Sequence, residues 1–158
     1  MTPNKEDYLK CIYEIGSRHK KITNKEIAQL MQVSPPAVTE MMKKMLAEEL
    51  LVKDKKAGYL LTDLGLRLVS DLYRKHRLIE VFLVNHLGYS TDEIHEEAEV
   101  LEHTVSERFV ERLDAMLQYP KTCPHGGTIP AKGELLDEEN QLTLEEASAP
   151  GDYIIKRV

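Results

Sequence analysis

Three amphipathic patterns followed by two short β-like runs occupy the first 62 residues, and few folds accommodate that order. Apolar residues recur at helical spacing in the first pattern, and Thr23 or Asn24 is placed to cap the second. Ser34 precedes two prolines and is a favourable N-cap for the third pattern. Residues 51–62 form two β-like runs around a basic turn that contains Gly58. This order predicts a winged helix-turn-helix.

The segment after the hairpin is predicted to be helical. Asp63 is placed to cap a long pattern that extends to about Leu87. Two shorter helical patterns span residues 92–103 and 106–119. The predicted fold class is therefore mainly α, with a winged helix-turn-helix domain followed by an all-helical domain.

The end of the chain has a different character. Prolines and glycines after Pro120 predict irregular structure, and the acidic residues 134–149 are typical of a linker. Residues 151–158 have the pattern of one strand, which is unstable without a partner. We therefore expect a small, truncated β module to begin there.

Charge is distributed unevenly along the chain, whose net charge is −6. Residues 1–75 contain 14 Lys and Arg against 10 Asp and Glu, whereas residues 76–158 contain 7 against 17. Because a DNA-binding face is a local property, the acidic average does not exclude DNA. The acidic second half is suited to binding cations.

Composition predicts a cytoplasmic protein. The longest uncharged apolar stretch, Val81–Gly88, is far shorter than the roughly 20 residues of a membrane helix, and the N-terminus has no apolar signal region. Two cysteines do not make a disulfide framework. Phosphate-loop, GxSxG and HExxH motifs are absent, so we expect no enzymatic activity.

The third helical pattern and the hairpin supply the side chains that a DNA-binding surface needs. Small residues at a helix start allow close approach to DNA, and lysines contact phosphates. The predicted DNA-binding residues are Ser34, Pro35, Pro36, Ala37, Thr39, Lys43, Lys44, Lys55 and Lys56, with Lys53 also near the turn. The alternative interpretation is an ordinary three-helix core with solvated lysines.

Metal-ligand side chains recur at helical spacing in the second half. His76 and Glu80 are spaced i, i+4, and Glu99, Glu102 and His103 are spaced i, i+3, i+4. Mixed oxygen and nitrogen donors suit Mn²⁺, Fe²⁺ or Zn²⁺. The alternative is a solvated acidic helix with an incidental histidine.

A Cys-Pro-His motif lies in the irregular segment. Cys123 and His125 could both face one ion if the loop is rigid, with Glu80 as the bridge to the helical pair. A structural zinc site needs further ligands, and no second Cys/His pair lies nearby. The alternative is a surface loop with a free thiol.

The apolar run 78–87 is interpreted either as a buried central helix or as a dimer interface.

Together, several stretches resemble the diphtheria toxin repressor family of metal-dependent transcriptional regulators, especially its manganese-responsive members. The stretches are VSPPAVTEMMKKM, YLLTDLGLRL, RKHRLIEVFL, HEEAEVLEH and CPHGGTIPAKGELL, in family order. The resemblance implies a winged-helix domain, a helical dimerisation and metal-binding domain, and often an SH3-like β module. We expect these at residues 1–73, 74–140 and 141–158, the last as a linker and the start of a truncated module.

The resemblance also implies two metal sites. One would use Asp7, Glu99, Glu102 and His103; the other would use Glu80, Cys123 and His125, while His76 and His95 match an ancillary site of iron-responsive members. Iron-responsive members have Met and Cys at the positions of Asp7 and Glu99, and carboxylates favour Mn²⁺ over Fe²⁺.

Two departures from the family pattern limit what is carried over. Lys10 stands near the position where two-metal manganese regulators have a Glu, so we expect no closely spaced pair of metal ions in this chain. Glu40 stands where iron-responsive members have a Gln, so the contact of that Gln with a DNA base is not carried over to this chain.

The expected function is a homodimeric repressor that binds operator DNA of metal-uptake genes when Mn²⁺ is bound. The alternatives are the same fold sensing Fe²⁺ or Zn²⁺, and a metal-storing or hydrolytic protein.

Overall fold

The computed structural model describes residues 3–136, with side chains from Lys5 onward. The chain divides into two compact units, and the boundary lies between Ser70 and Asp71. Within the described residues there are six helices and one two-stranded sheet, which confirms the mainly α class. The predicted linker and C-terminal β module, residues 141–158, lie outside the described residues.

The first unit has the predicted order of a winged helix-turn-helix. Three helices precede an antiparallel hairpin, in which Leu51 pairs with Leu61 and Asp54 pairs with Gly58. The elements are α1 (Pro3–Ser17), α2 (Asn24–Met31), α3 (Pro35–Ala47), β1 (Leu51–Asp54) and β2 (Gly58–Leu61).

Side-chain caps fix the turn between α2 and α3. The Thr23 hydroxyl accepts a hydrogen bond from the Glu26 backbone N–H, and the Ser34 hydroxyl accepts one from the Ala37 N–H. Between the two helices, Gln32 has a left-handed backbone with φ of 55°. The chain therefore turns sharply within the few residues that separate α2 from α3.

Gly58 allows the hairpin to pack closely against the chain before α2. The Asp54 carboxylate accepts hydrogen bonds from the backbone N–H groups of Lys56 and Ala57 and closes the turn. Gly58 itself begins β2 with φ of 82°, and a Cβ there would lie 2.0 Å from the Ile22 carbonyl oxygen. Only glycine fits this position without moving the backbone.

The core of the first unit is apolar. It is formed by residues from all three helices and the hairpin, and Lys10 and Ser70 are the polar side chains buried in the described part of this unit. The largest fully buried members are Ile12, Ile15, Ile27, Val38, Met42, Met45 and Leu51.

A long helix, α4 (Asp63–Leu87), crosses the boundary between the units. The predicted cap at Asp63 is wrong by one residue. The Thr62 hydroxyl accepts the hydrogen bond from the Gly65 N–H and donates to the Glu49 carbonyl, so Thr62 is the capping residue. Gly65 packs closely against the backbone at Leu50, since a Cβ at residue 65 would be 2.3 Å from the Leu50 carbonyl oxygen.

The second unit contains the rest of α4, α5 (Ile94–Glu102) and α6 (Glu107–Met116). Both short helices are shorter than the sequence predicts, and α6 ends early because Gln118 and Tyr119 have left-handed backbones. The residues after α6 include an antiparallel bridge between Thr122 and Thr128. The core is formed by Leu78, Ile79, Val81, Leu83, Ile94, Ala98, Val110, Leu113, Cys123 and Ile129.

Candidate metal centre and DNA-binding surface

The start of α3 and the hairpin turn present the predicted DNA-binding residues to solvent. The Thr39 hydroxyl donates a hydrogen bond to the Pro35 carbonyl, 3.1 Å away, which fixes its rotamer on the exposed face. Glu40 is also exposed there. The exposed members of the predicted set are Ser34, Pro35, Pro36, Ala37, Thr39, Lys43, Lys44, Lys53, Lys55 and Lys56.

Glu80 is the centre of the ligand-type side chains in the second unit. It is buried on α4, with its Oε1 atom 3.5 Å from His76 Nε2 and its Oε2 atom 3.1 Å from His125 Nδ1. His76 reaches Glu80 because the two are one helical turn apart. His125 reaches it from the irregular segment after α6.

Two overlapping groups of donor atoms share Glu80. The donors of His76, Glu80 and His95 lie within 4.8 Å of one another, and so do those of Glu80, Cys123 and His125. The structure thus brings together the three residues that the family resemblance implies for the second site, and it places His76 and His95 beside them.

The environment of Glu80 keeps it ionised. Burial raises the pKa of this carboxyl, but the hydrogen bond and charge of His76 and the charges of His125 and His95 outweigh burial and hold the pKa below its usual range. At neutral pH the side chain is therefore an anionic ligand that needs no deprotonation before it binds a cation.

The buried Oε2 atom of Glu80 accepts no hydrogen bond with acceptable geometry from the described residues. Leaving a buried carboxylate oxygen without a hydrogen bond is costly, and such atoms are rare in folded proteins. A divalent cation held by Glu80, Cys123 and His125 would satisfy this atom, so the residues present fit a metal ion.

The loop that carries Cys123 and His125 has a defined backbone. The 121–129 loop, from Lys121 to Ile129, is a small hairpin in which the Cys123 N–H donates to the Gly127 carbonyl at 2.9 Å. The Gly127 N–H donates to Cys123 Sγ at 3.2 Å. These hydrogen bonds fix the position of the Cys123 sulfur within the loop.

Glu102 and His103 lie at the end of α5. Glu102 is fully buried, and its Oε2 atom is 2.8 Å from His76 Nδ1. His103 Nε2 is 3.5 Å from Glu102 Oε1. His76 therefore contacts Glu80 through one ring nitrogen and Glu102 through the other.

Glu99 is placed differently from Glu102 and His103. Its carboxylate lies 3.1 Å from His95 Nε2, and 49% of its side chain is exposed. Asp7 is half-buried on α1, in the first unit. The assignment of Asp7 and Glu99 to one site with Glu102 and His103 stays a prediction.

Sequence reasoning missed two residues beside the centre. Arg77 is buried on α4 and donates to the Thr128 carbonyl, and Gly127 packs against its guanidinium. The available signal was an arginine directly before the apolar run 78–87 of α4. None of the helices within residues 3–136 combines the length and apolar character needed to cross a bilayer.

Two family models match the chain in sequence. "Iron dependent repressor, N-terminal DNA binding domain" covers residues 1–59, and "Iron dependent repressor, metal binding and dimerisation domain" covers residues 62–131. The regulator MntR of Geobacillus kaustophilus is 33% identical over 118 residues, which are 75% of this chain and 83% of that protein. Such relatives are named as transcriptional regulators rather than enzymes, as the sequence predicts.

Solved structures agree with these matches. The manganese-activated repressor ScaR in its apo form is 84% identical, with a TM-score of 0.88 over 96% of this chain and 72% of that chain. The manganese regulator SloR is 66% identical, with a TM-score of 0.86 over 100% of this chain and 74% of that chain. ScaR has also been crystallised with bound Zn²⁺ and with bound Cd²⁺.

Proposed function

Because the chain belongs to the iron-dependent repressor family, we propose that it is a manganese-activated transcriptional repressor that binds operator DNA as a homodimer. The observation that carries the proposal is the buried, ionised Glu80, which lies between two groups of metal-ligand side chains in the unit that matches the metal-binding and dimerisation domain. The descriptions of SloR and ScaR as a manganese regulator and a manganese-activated repressor support Mn²⁺ over Fe²⁺ or Zn²⁺.

The second unit would hold one ion through Glu80, Cys123 and His125. Their donor atoms lie within 4.8 Å of one another, and the Glu80 Oε2 atom, which accepts no hydrogen bond from the described residues, supports this assignment. A carboxylate, a thiolate and an imidazole are a mixed set that also accepts Zn²⁺ or Cd²⁺. His76 and His95 would orient Glu80 or provide further donors.

A second ion would be held by Asp7, Glu99, Glu102 and His103. Asp7 belongs to the unit that carries α3, and the other three belong to the unit with the metal-binding sequence. Carboxylates held near one another repel unless a cation neutralises them. The bound ion would supply that neutralisation, and these side chains would then favour one arrangement of the DNA-binding domain.

DNA binding would use α3 in the major groove and the hairpin on the phosphates. Thr39 and Lys43 would face base edges, while Lys55 and Lys56 would contact the backbone. A dimer presents two such helices about one DNA turn apart, so each protomer reads one half-site. We further propose a cytoplasmic protein that represses metal-uptake genes, with domain limits near residues 73 and 140.

The test is selection of DNA by the full chain. Duplexes from a genomic promoter library are selected with Mn²⁺ present, and the best is labelled for fluorescence anisotropy with Mn²⁺, Fe²⁺, Zn²⁺ or EDTA. We expect tight binding with Mn²⁺ and weak binding with EDTA. Bulk metal uptake without selection of any duplex would contradict the proposal.

Matched variants connect the DNA result to the metal centre. Glu80→Gln keeps the shape of the buried side chain but removes its charge, so we expect lower metal affinity. Glu96→Gln removes an exposed carboxylate from α5 and serves as the control. Equal metal-dependent DNA binding by both variants would exclude Glu80 from the metal centre.

A further inference from the structure

Arg77 lies directly behind the 121–129 loop. Its side chain is buried on α4, its NH1 group donates a hydrogen bond to the Thr128 carbonyl, and its guanidinium lies 4.7 Å from the centre of the Tyr73 ring. Tyr73 is one helical turn before Arg77, so the ring and the loop backbone hold the guanidinium on two sides. This buried cation is fixed rather than free to change rotamer.

Gly127 is the loop residue that lies against this guanidinium. A Cβ at Gly127 would be 2.9 Å from Arg77 Nε and 3.0 Å from Arg77 Cζ, closer than normal packing allows. Gly127 is not among the glycines with positive φ, unlike its neighbour Gly126. The need for glycine at residue 127 is therefore one of space, since the three atoms nearest to such a Cβ all belong to Arg77.

The same residue connects Arg77 to the sulfur of Cys123. The Gly127 N–H donates to Cys123 Sγ at 3.2 Å, and the Gly127 carbonyl accepts from the Cys123 N–H at 2.9 Å. The bridge between Thr122 and Thr128 closes the base of the loop. A shift of Gly127 away from α4 would move the donor that is directed at the sulfur.

We propose that Arg77 and Gly127 are positioning residues for the metal centre, which hold the Cys123 sulfur and His125 opposite Glu80. Arg77 and Glu80 both project from α4, so one helix fixes the carboxylate and the loop that supplies the other two donors. The inference rests on the proposed metal-binding function of Glu80, Cys123 and His125. Groups that orient metal ligands without touching the ion commonly change metal affinity about 10–100-fold.

The experiment uses Co²⁺ as the probe, added to the full chain. A thiolate bound to Co²⁺ gives a near-ultraviolet charge-transfer band, whose intensity per bound ion reports the sulfur ligand. The variants are Arg77→Met, Arg77→Lys and Gly127→Ala. The control is Arg67→Met, at an exposed arginine of the same helix. Cys123→Ser in the parent identifies the band.

We expect Arg77→Met and Gly127→Ala to weaken Co²⁺ binding by about 10-fold or more and to lower the band per bound ion. Arg77→Lys keeps the charge and a donor but loses the planar group, so it should give an intermediate result. Arg67→Met should match the parent. A purely structural role would lower the thermal midpoint in EDTA while leaving the band per bound ion unchanged, and that result would overturn the proposal.

The double variant Arg77→Met, Gly127→Ala tests whether the two residues act through each other. Without the guanidinium, the methyl group that Gly127→Ala adds has nothing rigid to displace, so the double variant should bind Co²⁺ no more weakly than Arg77→Met. Additive losses would show that the two residues act independently and would overturn the proposal.

Failure of the metal centre itself has a separate signature. If the parent shows no band that Cys123→Ser removes, the proposed site is wrong. If that band is present and all Arg77 and Gly127 variants keep it at parental affinity, the site stands and the positioning role is wrong. Should Arg77→Met fail to fold, Arg77→Lys and Gly127→Ala decide the question.

Discussion

The two units of this chain bury different kinds of side chain. In the described part of the first unit, Lys10 and Ser70 are buried among apolar residues. In the second, the buried set includes five ionisable side chains from α4 and α5, which are Arg74, His76, Arg77, Glu80 and Glu102. The unit with the DNA-binding sequence is therefore held together mainly by apolar packing, whereas the unit with the metal-binding sequence contains a charged network.

This difference has an energetic consequence. Apolar burial stabilises a core without any charged partner, but a buried charge needs a partner of opposite charge or a metal ion. Glu80 and Glu102 share His76 between them, and one Glu80 oxygen still accepts no hydrogen bond from the described residues. We therefore expect the ion held by Glu80, Cys123 and His125 to stabilise the second unit and to leave the apolar core of the first unchanged.

The largest effect is expected from the apolar core. Ile27 is fully buried on α2, so Ile27→Ala should lower the free energy of unfolding of the first unit by about 2–5 kcal/mol. Hydrogen exchange of α1–α3 amides measures this loss. The loss should be the same in Mn²⁺ and in EDTA, because Ile27 packs in the apolar core and not among the proposed metal ligands. A loss that Mn²⁺ reverses would mean that this apolar core itself depends on metal.

Metal removal is the matching test for the second unit. At a metal concentration of about 100 times the Kd, binding to the native state adds about 2.7 kcal/mol of stability. Treatment with EDTA should therefore reduce hydrogen-exchange protection in α4 near Glu80 and in the 121–129 loop, while α2 keeps its protection. Uniform loss of protection along the chain would remove the distinction between the units.

The hairpin turn gives a smaller effect, confined to DNA binding. Lys55→Ala and Lys56→Ala should each lower the slope of log affinity against log salt by about one unit, for every DNA sequence alike. Anisotropy titrations at several salt concentrations measure the slope. Glu49→Ala, an exposed change before the hairpin, is the control. Unchanged slopes would show that the hairpin does not contact phosphate.

The smallest effect concerns the turn of the helix-turn-helix. Gln32 has φ of 55°, a conformation that costs a non-glycine residue about 1 kcal/mol. Gln32→Gly should therefore stabilise the first unit by up to about 1 kcal/mol, less the greater chain entropy that glycine adds to the unfolded state. Urea denaturation measures the change. Destabilisation by more than about 1 kcal/mol would mean that the Gln32 side chain makes a stabilising contact.

The elements that local chemistry defines were predictable from the sequence. Ser34 caps α3, Thr23 caps α2, and the hairpin begins at Leu51, because caps and turns depend on neighbours in sequence. The contact between His76 and Glu80 followed from helical spacing.

The features that sequence reasoning missed depend on tertiary packing. Helical spacing placed Glu99 and Glu102 on one face, yet Glu102 is buried and Glu99 is half-exposed beside His95. Arg77 on α4 lies close to Gly127 in the loop after α6, and no local sequence pattern predicts a contact between residues so far apart in the chain.

The central claim is that metal ligands and DNA-binding residues act on one equilibrium, and reciprocal titration tests it most directly. Operator affinity is measured by anisotropy in Mn²⁺ and in EDTA, and Mn²⁺ affinity is measured with and without the same duplex. Linkage requires the ratio of operator affinities to equal the product of the Mn²⁺-affinity ratios of all the ions that the dimer binds. That ratio should be well above one for the parent and close to one for Asp7→Asn. Equal operator affinity of the parent in Mn²⁺ and in EDTA would contradict the account.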